Sequence, residues 1–235
     1  MTTQPIVTPR RPGEPEVDHT VLLLVHRAML TDAARFAELL TDLAREGLPI
    51  PARRAVAIRD YLLAFGTELH EHHSREDDVA WPVIAASAGA AVDLAPLTED
   101  HAILGELIAS MTVSAHAFAA DPAAHAQRLA TGVCELCDLL HEHVPEEERD
   151  VLPVISQYVS VPDWTAAEDR MLAGMSVRHL AWMLPWIARF ATPPELAHVL
   201  ARGGAVFRLL LALTRGGYRR RDRLIFGPAP VRRGE

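Results

Sequence analysis

The sequence predicts an all-α protein: an antiparallel up-down-up-down four-helix bundle followed by a short helical C-terminal extension. Three observations carry that expectation. Apolar residues recur at three- and four-residue spacing through most of the 235 residues, while strand-like alternation is nearly absent. Glycines and prolines cut the chain into long segments with short connections, the pattern of antiparallel neighbouring helices. A short internal repeat falls on the second and fourth of these segments, where a pseudo-symmetric bundle places equivalent elements.

The first helix is expected over about 17–46, closed by Gly47 and Pro49. The second spans about 52–87, bounded by Pro51 and Gly89. Pro96 suits the first turn of a third helix over about 95–119, and Asp121-Pro122 suits its end. The fourth covers about 123–159, and shorter helices follow from Pro162. The chain thus divides into a flexible, polar, Pro-rich segment over 1–16, a bundle over 17–160 and a helical extension with a basic tail over 161–235.

Composition narrows the class. With 49% apolar and 23% charged residues the chain is neither disordered nor fibrous. The net charge of −8 hides an asymmetry: residues 1–160 hold 11 Arg against 25 acidic residues (−14), and 161–235 hold 12 Arg against 6 (+6). The run Arg219-Arg220-Arg221 with Arg223 is too short, in an acidic protein, to imply nucleic acid, and is expected to dock on the acidic bundle. Two cysteines, Cys134 and Cys137, are too few for a disulfide framework, and Met1 to Pro15 lacks the apolar core of a secretory signal. A cytoplasmic location is expected. The apolar stretches near Leu180–Ala191 and Ala205–Thr214 are too short to span a bilayer and are expected as buried helices, with Trp182 and Trp186 on a core face.

The repeat carries the chemistry. HEHHSREDDVAWPVI at 70–84 matches HEHVPEEERDVLPVI at 141–155, offset by 71 residues. His72 and Glu76 are four apart, as are His143 and Glu147, so each pair lies one turn apart on one helix face. Those faces are apolar, with Phe65, Leu69, Val79 and Val83 on one and Leu136, Leu139, Val151 and Val154 on the other. His26, between Leu22 and Leu30, and His101, between Leu97 and Leu104, sit on the apolar stripes of the first and third helices. Burying such groups without a partner is costly, so four helices each bringing one to the centre point to a shared metal. Four imidazoles and two carboxylates exceed what one zinc ion needs and suit two octahedral iron ions. His73 with Asp77 competes with His72 and Glu76, and alignment with the second copy favours the latter pair. His70 and His141 are adjacent alternatives, His19 a weaker one, and His116, His125, His179 and His198 read as surface or packing residues.

The order His, His-x3-Glu, His, His-x3-Glu, with Pro after each Glu, resembles the hemerythrin-like (HHE cation-binding) family over about residues 18–160. The downstream segment, with Asp163-Trp164 and Met183-Leu184-Pro185-Trp186, is similar to the tail of actinobacterial members. The resemblance implies a hemerythrin-like bundle and a non-haem diiron site, oxo- or hydroxo-bridged. Its ligands would be His26, His72, Glu76, His101, His143 and Glu147, with Glu76 and Glu147 as bridges. Two departures from the oxygen carriers matter: Gly105 stands where they have a further histidine, and His143 and Glu147 replace a His and Asp five apart. The missing histidine implies an open iron position for dioxygen, peroxide or nitric oxide. The expected function is binding of, or reaction with, such a small oxidant. If catalytic, the protein is an oxidoreductase. An iron or oxygen sensing or storage module, and an oxygenase with a pocket beside Gly105, are the alternatives.

Overall fold

A computed structural model of the chain describes residues 5–47 and 49–227; the expected C-terminal tail beyond 227 and the first four residues lie outside them. The chain folds as α1 (Thr20–Glu46), α2 (Ala52–Arg75), a π-turn (Glu76–Ala80), α3 (Trp81–Ala88), a 3-10 turn (Gly89–Ala91), α4 (Ala95–Ala120) and α5 (Pro122–Asp150). It continues through α6 (Leu152–Tyr158), α7 (Val161–Ala173), α8 (Val177–Phe190) and α9 (Pro193–Phe226), the last kinked at Gly204, whose φ of 60° is the left-handed one glycine allows. Among the described residues there is no strand. The fold is the expected all-α one.

Two prolines at equivalent places in the repeat interrupt two of the long helices. Pro82 has no N–H for the carbonyl of Asp78, and its ring crowds that carbonyl. The helix opens into the π-turn, where the Trp81 N–H reaches back five residues to the Glu76 carbonyl. The extra residue rotates the buried stripe, so Ala80, Trp81, Val83 and Ile84 are buried while Val79, expected on the stripe, is half-buried. Pro153, six residues after Glu147 as Pro82 is after Glu76, marks the break at Val151 between α5 and α6. The single fourth helix expected over 123–159 is therefore two.

The bundle packs α1 on α5, α5 on α4, and α4 on α2. Helices α8 and α9 each touch both α1 and α2, so the extension lies over the seam between them. Within the N-terminal segment, Thr8 N–H donates to Asp163 (2.8 Å) and Arg10 N–H to the Tyr158 carbonyl (2.9 Å), tying the described part to the bundle end.

Two sequence expectations about the extension are corrected. Leu180, Leu184, Trp186 and Ile187 are buried as expected, but α9 exposes Val206, Leu209 and Leu213, and within Ala205–Thr214 the buried positions are Phe207 and Leu211. A helix that covers the bundle from one side buries one stripe, and its apolar outer face stays in contact with solvent. By length and apolarity α4 and α9 would each suffice to cross a membrane; α4 packs within the bundle. Charge pairing also runs opposite to expectation. Among the described residues Arg219, Arg220, Arg221 and Arg223 form no ion pair, and of these Arg221 meets the bundle over the Tyr61 ring, 5.7 Å from its centroid. The bundle instead supplies the cations, Arg27 to Glu195 (2.7 Å) and Arg35 to Asp222 (3.0 Å).

At the centre of the α1–α2–α8–α9 junction sits Asp32, fully buried. Its carboxylate accepts from Tyr61 OH, from Trp186 Nε1 (2.9 Å) and from Arg35 (2.5 Å), and Tyr61 OH lies 2.6 Å from Tyr218 OH. These bonds satisfy a charge that would otherwise be costly to bury, and they pin α8 and α9 to the bundle.

Candidate metal centre

His26 and His101 lie near the starts of α1 and α4, and His72 and His143 near the ends of α2 and α5. Alternating helix direction brings all four to one end of the bundle. There the donor atoms form two groups. His26, His72 and Glu76 make one, and His73, His101 and His143 the other, each with donor atoms within 4.8 Å of one another. The exposed His70 and His141 lie outside both groups, and His19 bonds Ser156 Oγ at 2.9 Å.

The two ligand-type glutamates connect the groups. Glu76 Oε1 lies 2.8 Å from His72 Nε2, while its Oε2 lies 3.7 Å from His101 Nε2. Glu147 Oε2 is 3.6 Å from His26 Nε2 and 3.8 Å from His143 Nε2. Both oxygens of Glu76, Glu147 Oε2, His101 Nε2 and His143 Nε2 are buried without a hydrogen-bond partner. Converging lone pairs that bond nothing in the protein are the donor set a cation fits.

The family model for the hemerythrin HHE cation binding domain matches residues 18–155, more than half of the chain. The chain belongs to the hemerythrin HHE cation-binding family. The matched segment runs from just before α1 to the middle of α6 and holds every residue of both donor groups. No curated protein and no solved structure matches the chain.

Within this hemerythrin domain the competition between His72 and His73 dissolves, because both face the centre. Helix α2 borders the seam with α1 on one side and α4 on the other, and successive residues point about 100° apart. His72 turns toward His26, with ring centroids 5.2 Å apart. His73 stacks on His101 at 4.6 Å and approaches His143 at 5.2 Å. Gly105 is half-buried on α4, and His73 brings a third imidazole to the His101 and His143 side from another helix. Reading the repeat in strict register missed it; the unmatched second histidine of His72-His73 was the available signal.

A second ring of acids surrounds the imidazoles. Glu148 Oε1 lies 3.0 Å from His26 Nδ1, Asp77 Oδ1 3.1 Å from His101 Nδ1, and Asp100 Oδ2 3.3 Å from His143 Nδ1. At His26 and His143 the carboxylate bonds Nδ1, holds that nitrogen as the proton carrier and leaves Nε2 with its lone pair inward, whereas Asp77 lies close to His101 Nδ1 without bonding it. Asp77 and Glu148 occupy equivalent places in the repeat, each directly after an inner glutamate and each reaching a histidine on a neighbouring helix.

Burial sets the charge state. It pushes Glu76 and Glu147 up to about 8, with Glu76 adding to the rise at Glu147, and holds His72 and His143 down to about 4. His73 and His101 are lowered by the same cause. A site that resists charging the histidines keeps their nitrogens available as donors, and a bound cation would offset the cost of ionising the glutamates. Cys134 and Cys137, neither in a disulfide, lie farther back along α5.

Proposed function

We propose that this hemerythrin domain holds two iron ions and binds, or reacts with, a small oxidant: dioxygen, peroxide or nitric oxide. The observation that carries the reading is the pair of three-residue donor groups spanned by Glu76 and Glu147. One ion would be held by His26 and His72, the other by His73, His101 and His143, with both glutamates shared. Histidine nitrogens mixed with carboxylate oxygens suit iron, and the set offers fewer donors than two six-coordinate ions require, leaving room for an exogenous ligand. When bound, the irons supply the electrons and the Lewis acidity for chemistry on that ligand.

The protein's own residues orient and shield. Glu148 and Asp100 keep their imidazoles turned inward. Trp81, stacked over His101 with ring centroids 5.9 Å apart, helps to close the site from water together with Val151 and Ile155.

The test is anaerobic reconstitution with Fe(II), metal counting, and optical spectra after separate additions of dioxygen, hydrogen peroxide and nitric oxide. Two irons per chain and a rapid spectral change with at least one of the three are expected. Full zinc occupancy in protein from an iron-replete host, with no iron uptake, would refute the reading.

A further inference from the structure

Between the metal end of the bundle and the C-terminal extension lies a cavity of about 170 Å³. His72, Glu76 and Glu147 form part of its wall, and Met171, Met183 and Phe207 enter it from α7, α8 and α9. It follows the seam where the extension touches both α1 and α2.

Size, lining and charge each restrict what it accepts. A dry apolar cavity of roughly 150 Å³ takes up benzene, so this one is large for a diatomic gas and small for a long acyl chain. Beyond the metal-site residues the lining is mainly apolar, including Val25, Trp81, Trp164 and Ile187. Three of the chain's six methionines, Met171, Met175 and Met183, line it, and their unbranched thioether chains adapt to ligands of different outline. Met171 and Met175 are half-buried, on the side nearest solvent. Both arginines on the wall are already paired, Arg75 with Glu71 (3.3 Å) and Arg202 with Glu168 and Asp169 (3.0 Å each). Glu68, also on the wall, faces His179 at 2.5 Å. Neither arginine is left to hold an anionic head group, and the rest of the wall beyond the metal-site residues is mainly apolar.

We propose that this cavity binds a small uncharged apolar organic molecule, about the size of one aromatic ring, and holds it beside His72, Glu76 and Glu147. The proposal rests on the diiron reading for what the molecule is held against, whereas binding itself requires only the cavity. An organic molecule is thereby positioned next to the metal end from the extension side, and not beside Gly105, where the sequence placed the pocket of an oxygenase.

The experiment titrates the full-length protein, metal-free and iron-loaded, with benzene by calorimetry and ligand-observed NMR, with benzoate as the charged comparison. Saturable binding of one benzene per chain is expected in both forms, and in the metal-free form benzoate is expected to bind at least about tenfold more weakly. Met171→Trp and Val21→Trp fill the cavity from the extension and from α1; each is expected to weaken benzene binding at least about tenfold while circular dichroism stays helical. If one variant misfolds, the other carries the comparison. Absence of saturable binding, equal binding of benzoate by the metal-free form, or unchanged benzene binding in a folded cavity-filling variant overturns the proposal. Iron uptake without benzene binding removes the cavity proposal and keeps the diiron reading; benzene binding without iron uptake does the reverse.

Discussion

His73 and His70 lie three residues apart on one helix and differ in what they touch. His73 is buried against His101 and His143, while His70 is exposed. His73→Ala is expected to lower metal content to about one ion per chain or below, and His70→Ala to leave it unchanged, as measured by elemental analysis after reconstitution. Asp100→Asn and Glu148→Gln remove acids that orient imidazoles, and each is expected to weaken metal binding about 10–100-fold in competition with a chelator. The metal-free protein has its own pH dependence. Glu76 and Glu147, raised from 4.5 to about 8, contribute stability that is full below 4.5 and lost as pH rises through 8. His72 and His143, lowered from 6.5 to about 4, contribute stability that is full above 6.5 and lost as pH falls through 4. The two effects oppose each other between 4.5 and 6.5, and above 6.5 the glutamate loss stands alone. Thermal unfolding of chelator-treated protein should therefore occur at lower temperature near pH 8.5 than near pH 6.5. In the double variant Glu76→Gln, Glu147→Gln that difference should shrink; an unchanged difference would assign it to other groups.

At the scale of elements, the sequence reads best where its pattern is repeated. Ends of α1 and α4 fall within a few residues of expectation because Gly47 and Asp121-Pro122 are local stop signals. The π-turn and the break at Val151 are less legible, since Pro82 and Pro153 announce an interruption without specifying whether the helix widens or bends. Placement of α8 and α9 depends on contacts across more than 150 residues, such as Trp186 to Asp32, and no spacing rule encodes them. Asp32 itself carries no sequence signal beyond being a lone acid on an apolar face. Its role yields a sharp expectation: Asp32→Ala leaves the buried donors of Tyr61 and Trp186 without their acceptor, while Arg35 keeps Asp222, and should cost about 1–3 kcal/mol in chemical denaturation. A loss below about 1 kcal/mol would show that α8 and α9 are held by apolar packing alone.

Across the whole molecule, a four-helix frame collects donors spread between His26 and Glu147 at one end of the bundle, between two apolar clusters. One cluster fills the bundle around Leu24, Phe36 and Leu69; the other caps the metal end around Trp81, Ile84 and Ile155. The inner glutamates were legible because the repeat states them twice. His73 was not, because it belongs to one copy only and its use depends on where α4 and α5 lie. The charge asymmetry was visible as a total, yet its pairing was not, since net charge does not say which arginine meets which acid. The diiron site requires Glu76 and Glu147 to join two metal positions. Diffraction from iron-loaded crystals, collected on both sides of the iron absorption edge, tests it most directly. Two anomalous peaks per chain are predicted, one beside His26 and His72 and one beside His73, His101 and His143, with both glutamates between them. A single peak, or two peaks that leave Glu147 without contact to either, would rule out the shared-glutamate site.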